Sequence, residues 1–454
     1  MTMVPSKRLF AALLCAATVL SGLPARAETL ADALISAYKN SNLLDQNRAV
    51  LRAADEDVAG AVTALRPVLQ WVARSSLVDS AQSNGINLSL GLQGQVMLYD
   101  FGRSQLGIDI AKESVLATRE ALVGVEQNVL FSAVQAYFGV RSAVENVSLN
   151  ENSVRVVGEF VRATQDQFDV GEVTRTDVAQ AEARLAAARA SLAAAEGQLA
   201  ASREGYKAAT GHYPGALASA PRAPALPRSL DEARTIAQRS HPAVLQAQHQ
   251  AKVSDIQVSL AAAQRMPTLT GTAALTKNEG AKDSSAIGIE LNQTIFSGGA
   301  LSSAHRKAIA GRDAARAALL QSSVAITQGV GNAWADIEVA RAQIAATERQ
   351  IEAATIAYEG VREEAKLGAR TTLDVLDAEQ ELLDARATKI TAEANLQVAN
   401  YSLLASMGLL TADHLTLGIP TYDPEAYYNA VKDAPVTSVQ GKSLDRVLQA
   451  IGRN

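Results

Sequence analysis

Apolar and polar residues along this chain change their spacing at the same relative points in each half. From Thr29 to Arg66 the chain is alanine-rich and proline-free until Pro67, which reads as a helix of moderate length; Ser229 to Met266, closed by Pro267 and carrying Pro242 inside, reads the same way. After Pro67 the period becomes two. Leu69, Trp71, Ala73 and Leu77 alternate with Gln70, Arg74 and Ser76, and past a polar turn at Ser83-Asn84-Gly85, Leu88, Leu90 and Leu92 alternate with Ser89, Gly91 and Gln93. The second half repeats this with Leu269 and Leu275 against Thr268, Thr270 and Thr272, then Ile287, Ile289 and Leu291 against Ala286, Glu290 and Asn292. Two hairpins follow, at about 67–98 and about 267–296, with strands of about ten residues, long enough to cross a bilayer when tilted.

No proline occurs from Gly102 to Phe168 or from Gly299 to Leu367. Each run forms either one helix or two stacked pieces, about 100 Å in all at 1.5 Å per residue. Gly171 and Gly368 break these runs, at tips spanning about 168–176 and about 366–373, and Thr174 and Thr371 are placed to cap return helices. In the first return helix Val178, Leu185, Leu192, Leu199 and Tyr206 recur every seven residues, with Ala181, Ala188, Ala195, Ser202 and Ala209 three positions on. Large residues alternating with small ones along a heptad seam predict closely approaching helices. That seam serves a purely structural coiled coil equally well.

The two halves are copies. Residues 171–189 and 368–386 share nine of nineteen positions, among them Gly171 with Gly368, Thr174 with Thr371, Asp177 with Asp374 and Glu182 with Glu379. Shared alanine content does not hold glycine, aspartate and glutamate in register, so duplication is the reading. Repeat 1 spans 28–213, a proline-rich linker 214–228, repeat 2 229–408, and a tail without a counterpart 409–454.

The N-terminus changes what the hairpins mean. Lys7 and Arg8, an apolar run from Leu9 to Leu23, and Ala25-Arg26-Ala27 form the three parts of a secretory signal peptide over 1–27, with the mature chain starting at Glu28. The mature chain has no apolar run long enough for a transmembrane helix, so entry into a membrane must use strands. A half-buried soluble hairpin shows the same alternation; a nearly wholly polar face opposite an uncharged one, on an exported chain, favours the membrane. Four strands cannot close a barrel and an open edge is not tolerated in lipid, so closure requires several chains, and three would supply twelve strands.

Of the 454 residues, 48% are hydrophobic but only 4% aromatic, a balance that suits long helices meeting along thin seams. The net charge of −5 is mild, its cations are dispersed, and a nucleic-acid partner has no support. Catalysis has little support either. His212, His241, His249, His305 and His414 are scattered without metal-ligand spacing, and the one cysteine, Cys15, lies in the apolar leader. Gly329-Val330-Gly331 has Trp334 where a phosphate-binding loop needs a third glycine, and no strand precedes it. No enzyme and no cofactor are expected.

The duplication, paired hairpins and glycine-containing tips together resemble the TolC family of outer-membrane factors over the whole mature chain. The most specific stretch is Leu367-Gly368-Ala369-Arg370-Thr371-Thr372-Leu373-Asp374-Val375-Leu376-Asp377-Ala378-Glu379, echoed by Val170-Gly171-Glu172-Val173-Thr174-Arg175-Thr176-Asp177-Val178. Phe296-Ser297-Gly298-Gly299 is similar to the family's strand-to-helix junction, and Tyr99-Asp100-Phe101-Gly102 is a looser version.

The resemblance implies an α+β membrane protein: a homotrimer with a 12-stranded transmembrane β-barrel and a long α-helical coiled-coil barrel in the periplasm. It implies a passive exit duct for drug efflux or type I secretion, partnered by a periplasmic adaptor (membrane fusion) protein and an inner-membrane pump or ABC transporter. By the same resemblance Asp374 and Asp377 form the channel constriction, Arg370 and Asp177 the entrance latch, and Gly171 and Gly368 mark the adaptor-docking tips. The chain departs from the pattern at Ala365, where the best-known member has a constriction tyrosine, which puts that part of the closed state in question.

Asp374 and Asp377, three apart, also share a helix face on physical grounds, and threefold symmetry would converge six carboxylates on an axis. Two acids near a helix N-terminus with Arg370 as a surface partner explain the same residues. The competing class is an exported structural coiled-coil protein without channel activity.

Overall fold

A computed structural model describes residues 27–80, 83–221, 223–278, 282–432 and Arg446. The expected signal peptide, apart from Ala27, and most of the tail beyond Lys432 lie outside the described residues. Repeat 1 runs α1 (Leu30–Asn40), α2 (Asn42–Thr63), β1 (Val68–Ser80), β2 (Ser83–Tyr99), α3 (Arg103–Asp169) and α4 (Arg175–Thr210). Repeat 2 runs α5 (Leu230–Ser240), α6 (Pro242–Ala263), β3 (Thr268–Asn278), β4 (Ser284–Asn292), α7 (Ala300–Lys366) and α8 (Thr372–Ser406). The short α9 (Pro424–Val431) follows.

Three expectations are corrected. The opening helix of each repeat is two helices, broken at Ser41 and at His241, because both residues sit in extended backbone. In repeat 2 the break has a plain cause: Pro242 suits the first position of a new helix and disfavours helical backbone at His241. Ser83-Asn84-Gly85 is the start of β2 and not a turn, since the β1–β2 ladder pairs as far as Ser80 with Ser83. The strands of the second hairpin, at 11 and 9 residues, have the expected length of about ten, whereas those of the first run on to 13 and 17 because their pairing continues. Each long proline-free run is a single helix of 67 residues.

The chain divides into two units. Unit 1 comprises residues up to Ser41, Val129–Leu226 and Trp334–Ser402, and is helical with the linker laid along it. Its core includes Leu34, Tyr38, Tyr137, Phe138 and Tyr206. Glu28 anchors the start of the described chain: its N–H donates to Ala216 O at 2.8 Å, its carbonyl accepts from Ala218 N at 2.8 Å, and its carboxylate accepts from Tyr206 Oη at 2.5 Å. Glu28 thereby forms an isolated parallel bridge with Leu217, which satisfies backbone groups of the proline-flanked linker.

Unit 2 comprises Asn42–Asn128, Pro227–Ala333 and Leu403–Asn454, and holds the sheet. The strands form one antiparallel sheet in the order β1-β2-β3-β4. Leucine, valine and tyrosine side chains from α2, α3 and the tail build its helical core, with Leu51, Val58 and Val115 buried and Tyr422 and Tyr428 packed against them. Arg103 ties the start of α3 to the end of α6, its Nε donating to Ala263 O at 2.9 Å and its Nη2 to Gln264 O at 3.1 Å, so a repeat 1 cation satisfies carbonyls at a repeat 2 helix end. Among the described residues no helix is long and apolar enough to cross a membrane.

Candidate functional site

In unit 2 the ladder registers decide which side chains share a face. Trp71 lies opposite Leu92, Ala73 opposite Leu90, Leu92 opposite Leu275, and Ala273 opposite Ile287. Leu69, Trp71, Leu88, Leu90, Leu92, Leu275, Ile287, Ile289 and Leu291 therefore form one largely apolar surface, each 40% to 92% exposed in the chain by itself, though Lys277, opposite Leu90, puts a charge on the face expected to have none. The other face carries Gln70, Arg74, Gln93, Gln95, Thr270, Thr272 and Glu290. Leu69 to Leu77 covers eight steps, about 26 Å along the strand, close to the height of a barrel's lipid-facing band. Among the described residues β1 and β4 are the two outer strands, each paired on one side only.

In unit 1 the tips show why the repeat preserved its pattern. Gly171 and Gly368 adopt left-handed φ of +80° and +75°, which glycine takes without a side-chain clash. Gly171 N donates to Phe168 O at 2.9 Å and Glu172 N to Gln167 O at 2.9 Å; Gly368 N donates to Ala365 O and Ala369 N to Glu364 O, both at 3.0 Å. These are two Schellman endings with the same bonds. Thr174 then caps α4: Asp177 Oδ2 accepts from Thr174 N at 2.9 Å and from its Oγ1 at 2.7 Å. Thr371 caps α8 likewise, with Asp374 Oδ2 accepting from its N and its Oγ1, both at 2.9 Å. Hydrogen bonds from the threonine hold both carboxyls below the usual carboxylate range: at Asp177 the hydroxyl contributes most, at Asp374 the backbone N–H. Both stay ionised at neutral pH.

The other expected site residues are placed differently from one another. Within the chain Arg370 does not meet Asp177; its Nε donates to Glu364 Oε2 at 2.9 Å. Asp377, one turn beyond Asp374, accepts from Arg184 of the repeat 1 return helix. Beneath the tips Val157, Ala181 and Leu376 are buried, with Phe160, Val161 and Leu185 packed on them. Glu379 is buried beside them, accepts from Ser153 Oγ at 3.2 Å, and is pushed up by burial.

Sequence reasoning missed Arg184, Ser153 and the burial of Glu379. For Glu379 the signal was its identity with Glu182, since an acid kept in register inside an alanine-rich helix is a positional demand. Arg184 left no comparable trace, because Glu381 stands at the matching place in repeat 2. Among the described residues no group of three His, Cys, Asp or Glu side chains is placed to hold a metal ion.

A family model described as outer membrane efflux protein matches residues 34–212 and 234–409. The outer membrane efflux protein BepC of Brucella suis biovar 1 (strain 1330) is 36% identical over 431 residues, covering 93% of this chain and 94% of that protein. Outer membrane protein TolC of Vibrio cholerae serotype O1 is 25% identical over 398 residues, covering 84% of this chain and 89% of that one. The crystal structure of the Campylobacter jejuni CmeC outer membrane channel superposes with a TM-score of 0.75 at 17% identity, covering 89% of each chain.

Proposed function

Because this chain belongs to the outer membrane efflux protein family, whose members are outer-membrane channel proteins and not enzymes, we propose that it works as a homotrimeric exit duct. The observation that carries this reading is the sheet: one apolar, water-exposed face and two outer strands in a chain of this family. Unpaired strand edges cost several kcal/mol per exposed backbone group in lipid, so β1 of one copy pairs with β4 of the next until the ring closes. Three copies of four strands close it at twelve. The apolar face then meets lipid, and the polar face lines the lumen.

Substrates pass passively from a periplasmic adaptor and an inner-membrane pump, through the helical part, to the exterior. The match to BepC over nearly the whole chain supports an efflux cargo. The tips of unit 1 form the periplasmic entrance, with Gly171 and Gly368 at the turns that meet the adaptor. Three copies of Asp374 and Asp377 make six carboxylates about the axis, a ring that favours cations. Arg370 and Asp177 complete a latch between neighbouring copies. Both being surface-exposed in the single chain supports that assignment, since each keeps a face free for a second subunit.

The test combines fractionation with electrophysiology. A heat-dissociable trimer in the outer-membrane fraction, giving discrete conductance steps in planar bilayers, is expected. Arg370→Ala or Asp177→Ala should enlarge the single-channel conductance, and unchanged conductance in both variants would remove the latch. A soluble periplasmic product without conductance overturns the duct itself.

A further inference from the structure

We infer that Arg184 determines the charge selectivity of the entrance by neutralising one of its two acids, which rests on the reading of Asp374 and Asp377 as the constriction. The two carboxylates lie one turn apart on α8 but have different partners. Asp374 spends its Oδ2 on the cap of its own helix, bonded to Thr371 N and Oγ1, and so keeps a fixed position and its full charge. Asp377 Oδ1 is held instead by Nη2 of Arg184, which reaches across from α4 of the other repeat. Of the other cations at this tip, Arg370 is engaged by Glu364 and also attracts Asp374, and Lys366 is engaged by Glu363.

Counting only the two acids and Arg184, each chain places two negative charges and one positive at this level, a net −1, and a trimer −3; without Arg184 the values are −2 and −6. The pair exists only because the copies diverged. The position of repeat 1 equivalent to Asp377 is Gln180, and the position of repeat 2 equivalent to Arg184 is Glu381, so one copy supplies the acid and the other the base. The side chains of Arg184 and Asp377 are 40% and 55% exposed, and an ion pair that wet contributes little to stability. Its removal changes the field at the constriction and leaves the fold in place.

The experiment measures reversal potentials of purified trimers in planar bilayers under a KCl gradient, for the wild-type protein, R184Q, R184K, D377N and the double variant R184Q/D377N. R184Q is expected to raise the cation-over-anion permeability ratio about three- to tenfold at low salt, and D377N to lower it. The double variant should return close to the wild-type value, and R184K, which retains the charge, should stay near it. Opposite shifts in the two single variants are a signature that simple loosening of the tip does not produce. The inference is overturned if D377N shifts the potential and R184Q does not, or if both shift it the same way. Should D377N itself leave the potential unchanged in a conducting trimer, the constriction reading fails first and this inference goes with it.

Discussion

Replacing Asp55 by asparagine is expected to abolish a pH dependence in how the tail is held. Asp55 lies on α2 with 0% exposure, and neither carboxylate oxygen has a hydrogen-bond partner among the described residues. Burial pushes it from 3.8 to about 6; Arg119 opposes the rise and Glu56 adds to it. The tail clamps the same spot: Arg119 Nη1 meets Glu425 at 3.3 Å and stacks over Tyr428 at 5.4 Å, Arg48 stacks over Tyr422 at 5.4 Å, and Tyr427 Oη donates to Glu56 at 2.8 Å.

Since the folded value lies above the unfolded one, stability is complete below about 4 and lost as pH rises to about 6 and beyond. The shift corresponds to a loss of about 3 kcal/mol at neutral pH. An asparagine side chain has the same shape as the aspartate and cannot ionise, so D55N should exceed the local stability of the wild-type protein by about 1 kcal/mol near pH 4.5 and by up to about 3 kcal/mol near pH 8. Hydrogen exchange of the segment 424–431 measures this, because the variant-to-wild-type rate ratio at one pH cancels the intrinsic chemistry. Exchange up to about a hundredfold slower in the variant at pH 8 is the expected result. A ratio that stays flat from pH 4.5 to 8, or a variant that exchanges faster at pH 8, refutes the reasoning.

Gly408→Ala should destabilise strongly. The residue has φ +79°, and an added Cβ would come within 2.7 Å of both His241 Cα and Ser240 O, which are backbone and cannot step aside. Left-handed strain plus overpacking amounts to about 2–5 kcal/mol, visible as a lowered dissociation temperature of the trimer on gels. Gly368→Ala, with φ +75° and nothing within 4 Å, should cost only the strain, about 1 kcal/mol, so equal effects of the two substitutions would contradict the steric argument. Tyr206→Phe removes the hydroxyl that meets Glu28 at 2.5 Å, a charge-assisted bond worth about 1.5–3 kcal/mol, and should speed hydrogen exchange over 28–40. Unaltered exchange there would mean that the backbone bridge to Ala216 and Ala218 holds the segment alone.

Much of the architecture was legible because periodicity and punctuation are local. Leu69, Trp71 and Leu77 alternate whatever surrounds them, and glycine followed three residues later by threonine ends one helix and caps the next without help from distant residues. The breaks at Ser41 and His241 were legible only in part: Pro242 announces one, whereas Asn40-Ser41-Asn42 favours caps and turns without a proline to force the break. The extension of β2 to Ser83 was equally hidden, since Asn84-Gly85 suits a turn and pairing with β1 overrules that preference.

By itself, the sequence determined the duplication, the two hairpins, the long helices and the capped turns at the tips, since each is written in the spacing of residues along the chain, and it carried the resemblance to the family. Tertiary structure alone decided the partners. Ladder register gathered scattered apolar residues into one face, packing buried Glu379 and Asp55, and the fold brought Arg184 to Asp377 from 193 residues away. The physical reason is the range of the interactions: turn and cap energies act within a few residues, while burial and ion pairing depend on which surfaces the completed chain brings together.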